Sequence, residues 1–121
     1  MITFDQAHTL LTQARNWRRG KPISSLPHTR VVLTQGTIAS PEVISIRYYD
    51  TNIVNLHSNG TYLAKTCNWN TRTTKKRINT LTPLNVVQRQ GVWYHNGNPF
   101  YSGIIVDPDG NVIENNSVLP D

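Results

Sequence analysis

IVNLHSNGTYLAKT, residues 53–66, places two short β-type runs on either side of Ser58-Asn59-Gly60. Asn59-Gly60 is a strong hairpin signal, because both residue types tolerate the positive φ that matches the twist of paired strands. Just upstream, VISIRYY at 43–49 alternates Ile44, Ile46 and Tyr48 with Val43, Ser45, Arg47 and Tyr49, and DTN at 50–52 supplies a tight turn. Three consecutive antiparallel strands are therefore expected. The links are too short for parallel crossovers, so the arrangement is a meander.

The rest of the chain adds helices and more strands to this nucleus. Thr3 and Gln6 have the spacing of a capping box, and Phe4, Ala7, Leu10, Leu11, Ala14 and Trp17 recur along one side of a helix from about 4 to 17. Arg15, Arg18 and Arg19 fall near its C-terminal end, before Gly20 and Pro22 stop it. Residues 20–30 are turn-rich, and VVLT at 31–34 suits a strand. Thr73 or Thr74 can cap a short second helix over 75–81, which Pro83 closes. LNVVQRQ and VWYH, separated by Gly91, read as strands, as do PFYSGIIV after Asn96-Gly97 and NVIEN after Asp109-Gly110. The fold class is α+β: an N-terminal amphipathic helix on a mainly antiparallel sheet of about seven short strands, with the second helix near 75–81. At 121 residues one domain is expected, with a loose tail from 115.

Charge narrows the function classes. The formal net charge is +5, yet residues 51–106 contain no acidic side chain, while Asp107, Asp109, Glu114 and Asp121 follow the last cation, Arg89. A basic middle of this kind steers anionic partners if its charges share a face. The densest part is TCNWNTRTTKKRI at 66–78. Lys75, Lys76 and Arg77 would occupy the first turn of the second helix, where positive charge opposes the helix dipole and a phosphate would relieve it. Arg72 and Lys65 would widen the patch, and Trp69 would hold the loop or stack on a base. Tyr49, Tyr62, Trp93 and Tyr94 are further stacking groups if exposed. The competing structural reading puts the aromatics in the core and leaves the cations as a solvated surface.

Other chemistry is poorly represented. Cys67 stands alone, without the base and low-pKa setting that a nucleophile needs. His8, His28, His57 and His95 have no metal-ligand spacing, and Asp107 with Asp109 sits in DPDG, where turn formation explains both. No glycine-rich phosphate loop occurs, and no apolar run of membrane-spanning or secretory-signal length is present. No catalytic residue, metal or cofactor is expected, and no membrane contact. An unclosed antiparallel sheet leaves homo-oligomerisation through an edge strand open.

Residues 49–79 resemble a segment of small accessory proteins encoded by tailed bacteriophages. The landmarks are Asp50-Thr51, Ile53-Val54, Asn59-Gly60, Leu63, Trp69, Thr71, the Thr73-Thr74-Lys75 group and Arg77-Ile78-Asn79, with VWYHNG following. The resemblance implies a phage protein acting in the host cytoplasm, by binding nucleic acid or by obstructing a host protein. The leading expectation is a non-enzymatic DNA- or RNA-binding protein that uses the basic middle. The alternatives are an inhibitor or regulator that docks on an acidic host protein, and a phage structural or assembly component.

Overall fold

The computed structural model describes residues 1–66 and 71–115, with side chains described as far as 113. Expectations placed on Cys67 and Trp69, and on the tail beyond Asn115, lie outside the described residues. Helix α1 spans Phe4–Leu11 and is opened by the expected capping box: Thr3 Oγ1 accepts from the Gln6 amide at 3.1 Å, and Gln6 Oε1 accepts from the Thr3 amide at 3.0 Å. The helix stops six residues before the position that periodicity suggests. The amides of Gln13 and Ala14 tighten to the carbonyls of Leu10 and Leu11, and the Trp17 carbonyl is taken by the Leu33 amide at 2.8 Å. A backbone bond to a neighbouring strand thus overrides helical propensity, which is a weak prior.

The main sheet contains β1 (Lys21–Pro22), β2 (Thr29–Gly36), β3 (Pro41–Tyr48), β4 (Thr51–His57), β5 (Tyr62–Ala64), β9 (Ile104–Val106) and β10 (Val112–Asn115). Neighbours in the order β1-β2-β3-β4-β5-β9-β10 are all antiparallel. Between β5 and β9 the chain builds α2 (Arg72–Leu81) and a second sheet of β6 (Val86–Arg89), β7 (Val92–His95) and β8 (Asn98–Pro99). The N-terminal helix on a seven-stranded antiparallel sheet is as the sequence suggests; the separation of the hairpins at 86–99 into their own sheet is not. The hairpin at 58–60 also forms, but only Gly60 takes positive φ, at +90°. Asn59 contributes instead through Oδ1, which accepts from the amide and hydroxyl of Thr61.

Helix α2 starts earlier than expected. Thr71, not Thr73 or Thr74, is the N-cap, its hydroxyl accepting from the Thr74 amide at 3.1 Å. Asn79 clamps the helix to β6 with paired bonds to the amide and carbonyl of Val86, at 2.7 and 2.9 Å. His95 Nδ1 accepts from the Asn85 amide, and its Nε2–H donates to the Gly110 carbonyl, so one buried ring ties the small sheet to the turn before β10.

The core lies on one side of the main sheet. Val31, Leu33, Ile44, Ile46, Val54 and Leu56 meet Ala7 and Leu11 of α1, Ile78 and Leu81 of α2, and Trp93 of β7. The alternation of strand side chains sends their neighbours to the outer face. There Thr34 donates to Ser45, which donates to Asn55 across three strands, at 2.5 and 2.7 Å. No helix among the described residues is long and apolar enough to cross a membrane.

Candidate anion-binding cleft

The same alternation that buries Val31 and Ile46 turns Arg30 and Arg47 to the outer face. The two arginines are direct partners in the β2–β3 register. Like charges placed opposite each other in an antiparallel pair destabilise it, by a few tenths to ~1 kcal/mol. Neither is neutralised locally: Arg30 Nη1 donates to the Arg19 carbonyl at 2.9 Å, and Arg47 Nε donates to Asn52 Oδ1 at 2.8 Å. Among the described residues, no ion pair relieves them.

The connector after α1 brings two more cations to this place. Asn16 Oδ1 accepts from the amides of Arg18 and Arg19, forming a compact turn, and the Gly20 amide closes it on the Asn16 carbonyl at 2.8 Å. Gly20 then runs so close to β2, at φ +85°, that a Cβ would collide with the Val31 carbonyl oxygen and stand 2.6 Å from Val32 Cγ1. That approach leads into β1 and holds Arg18 and Arg19 beside Arg30.

A further side is aromatic. His28 and Tyr49 both adopt left-handed backbone conformations, φ +58° and +53°, which cost non-glycine residues ~1–3 kcal/mol each. Tyr48 pairs with Thr51, so Tyr49 and Asp50 form a two-residue hairpin loop. Tyr49 occupies its first position, where positive φ normally selects glycine. The Tyr49 amide bonds to the His28 carbonyl at 2.8 Å, and the two rings stack with centroids 4.4 Å apart and planes 15° from parallel. Together these parts line a cleft of about 660 Å³, with four arginines, the His28 and Tyr49 rings, an apolar wall that includes Ile23 and Leu26, and the carboxylate of Asp50. Guanidinium groups bind phosphate oxygens through paired, charge-assisted hydrogen bonds, so the chemistry offered is recognition of an oxyanion beside a flat ring.

The residues expected at 65–77 are placed differently. Helix α2 begins at Arg72, so its first turn holds Arg72, Thr73 and Thr74, and the helix-dipole argument passes from Lys75, Lys76 and Arg77 to Arg72. Arg72 and Lys76 are exposed one turn apart, and Lys75 is half-buried between them. Lys65 stands apart: it follows Ala64, whose side chain is in the core, and so turns to the outer face. Arg77 is not a surface phosphate contact. Only 8% exposed, it donates from Nε to Thr29 Oγ1 at 3.1 Å and from Nη2 to the Pro27 carbonyl at 3.4 Å, and its guanidinium carbon lies 5.6 Å from the Tyr48 ring centroid. Arg77 therefore braces, from the core side, the loop that carries His28. Trp69 lies outside the described residues. None of Lys65, Arg72, Lys75, Lys76 or Arg77 lines the cleft.

The cleft escaped sequence reasoning because its cations come from three separate stretches that only strand register unites. The available signal was an arginine at an outward position of each of two adjacent strands. A protein-family model described as "Kyanoviridae Gp96 protein" matches residues 5–107, which takes in every residue of the cleft. No curated protein and no solved structure matches the chain. With most of its length covered by that model, the chain belongs to the Kyanoviridae Gp96 family of phage accessory proteins.

Proposed function

We propose that this phage protein is a non-enzymatic nucleic-acid-binding protein of the host cytoplasm and that the arginine cleft, rather than the 65–77 segment, is its principal contact surface. The observation that carries this reading is the unrelieved Arg30–Arg47 pair, joined by Arg18 and Arg19 around one opening. A folded protein gains nothing from opposing like charges across a ladder; a phosphate between them turns the repulsion into attraction. Arg72, Lys75 and Lys76 on α2 and Lys65 on the outer face add to the positive field that draws the polyanion in.

Fluorescence anisotropy with short labelled DNA and RNA across a salt series tests the proposal. Affinity should fall steeply between about 50 and 200 mM salt, with a slope of about −0.7 per phosphate on single strands. The double variant Arg30→Gln/Arg47→Gln should bind roughly tenfold or more weakly with a shallower slope, whereas Lys75→Gln/Lys76→Gln should change affinity less. Absence of binding at low salt, or a larger loss from the α2 pair than from the cleft pair, would move the function away from this surface.

The edge strand β10 favours a second reading, in which the protein docks on another chain. Val112 and Ile113 there are 45% and 57% exposed, and among the described residues no strand pairs with the outer side of β10. Strand addition at such an edge is a common mode of protein recognition. Charge reversal in the cleft would leave a complex made through β10 intact.

A further inference from the structure

We infer that the cleft takes single-stranded rather than duplex nucleic acid, with one unpaired base stacking on the His28–Tyr49 pair while the arginines hold its flanking phosphates; the inference rests on the nucleic-acid reading above. Three features of the site point there. First, the two rings are already parallel, at 4.4 Å, and are exposed at the mouth of a charged cleft; Tyr49 retains 49% of its surface. Aromatic rings in solvent beside cations are the working parts of single-strand binding surfaces, since every base has a π-face. Second, the platform is kept at a conformational cost. Both residues sit at positive φ, and Tyr49 fills a hairpin position suited to glycine, so the stack, with the Tyr48 ring 4.8 Å from that of Tyr49, is held against the backbone preference of the turn. Strain concentrated where a ligand would touch is the pattern found at functional sites. Third, the cleft of about 660 Å³ is of small-ligand size and has an apolar wall at Ile23 and Leu26. That space suits a nucleotide unit, whereas bases in a duplex are stacked on one another and present no face to a ring.

The rings differ from the arginines in what they read, and this separates the two proposals. Anisotropy titrations would compare a single-stranded oligonucleotide, an abasic strand of the same length and the corresponding duplex, on the wild type and on Tyr49→Gly and His28→Asn. Glycine and asparagine both accept the left-handed backbone, so the turn is preserved and the ring is removed. The wild type should prefer the single strand over both other probes. Each variant should bind that strand roughly 5- to 100-fold more weakly, the range expected for loss of one base–aromatic stack, with abasic binding little changed. Equal wild-type affinity for the normal and abasic strands would overturn the stacking, as would equal or tighter binding of the duplex. Loss of normal and abasic binding in the same proportion would also overturn it, since the rings would then act through the shape of the cleft. If the wild type binds no probe, the nucleic-acid reading itself fails.

Discussion

At the scale of single residues, the formal charge of a side chain says little until its surroundings are known. Arg77 and Arg30 are both arginines beside Thr29, yet one is consumed by the interior and the other is left facing a like charge. His57 shows the same dependence on place. Its Nε2 is buried with no hydrogen-bond partner among the described residues, and burial, followed by the positive charge of Lys65, holds its pKa below the ordinary histidine value of 6.5. The folded state therefore favours the neutral ring, while the unfolded chain protonates near the ordinary value. Stability linked to His57 is complete above about pH 6.5 and is lost as pH falls through the lower folded value. Melting temperatures measured downward from neutral pH should decline through that window, and His57→Phe should decline less. Parallel curves for the two proteins would show that His57 does not carry the effect.

At the scale of elements, the strands were legible and the connectors were not. Alternation at 43–49 and the Asn59-Gly60 turn identified β3, β4 and β5, because period and turn chemistry are local properties. The capping box at Thr3 was local too. The end of α1 and the membership of β6–β8 in a second sheet depend on distant backbone groups, such as the Trp17 carbonyl meeting the Leu33 amide. The cleft depends on such a connector, since residues 16–22 must lie along β2 to deliver Arg18 and Arg19. Gly20 is the residue that allows this approach. Gly20→Ala meets the Val31 carbonyl and a positive φ together, so it should destabilise the protein by about 2 kcal/mol or more. Oligonucleotide affinity should fall with it, because the connector must lift away from β2. A variant as stable as the wild type with unchanged affinity would mean that the connector does not set the cleft.

At the scale of the whole molecule, the two ends of the main sheet are unlike. The β1 edge is only two residues long, contains Pro22 and stands beside the arginines, which are devices that discourage strand pairing. The β10 edge is longer and carries exposed Val112 and Ile113. Antiparallel pairing of β10 with β10 of a second copy satisfies two-fold symmetry, because the same patch serves both sides. Five inter-strand steps of ~4.8 Å separate β2 from β10, so such a dimer would hold its two clefts roughly 50 Å apart at opposite extremities. A long single strand could then engage both clefts and gain affinity through effective concentration, while a short one could not. Mass measured in solution should rise toward the dimer with concentration, and affinity should increase with oligonucleotide length. Ile113→Lys should return the protein to monomer and remove the length dependence, leaving short-strand affinity within about twofold, because the substitution lies at the opposite end of the sheet from the arginines. A mass that stays monomeric at high concentration would eliminate this assembly, and length dependence surviving in Ile113→Lys would place its origin within a single chain.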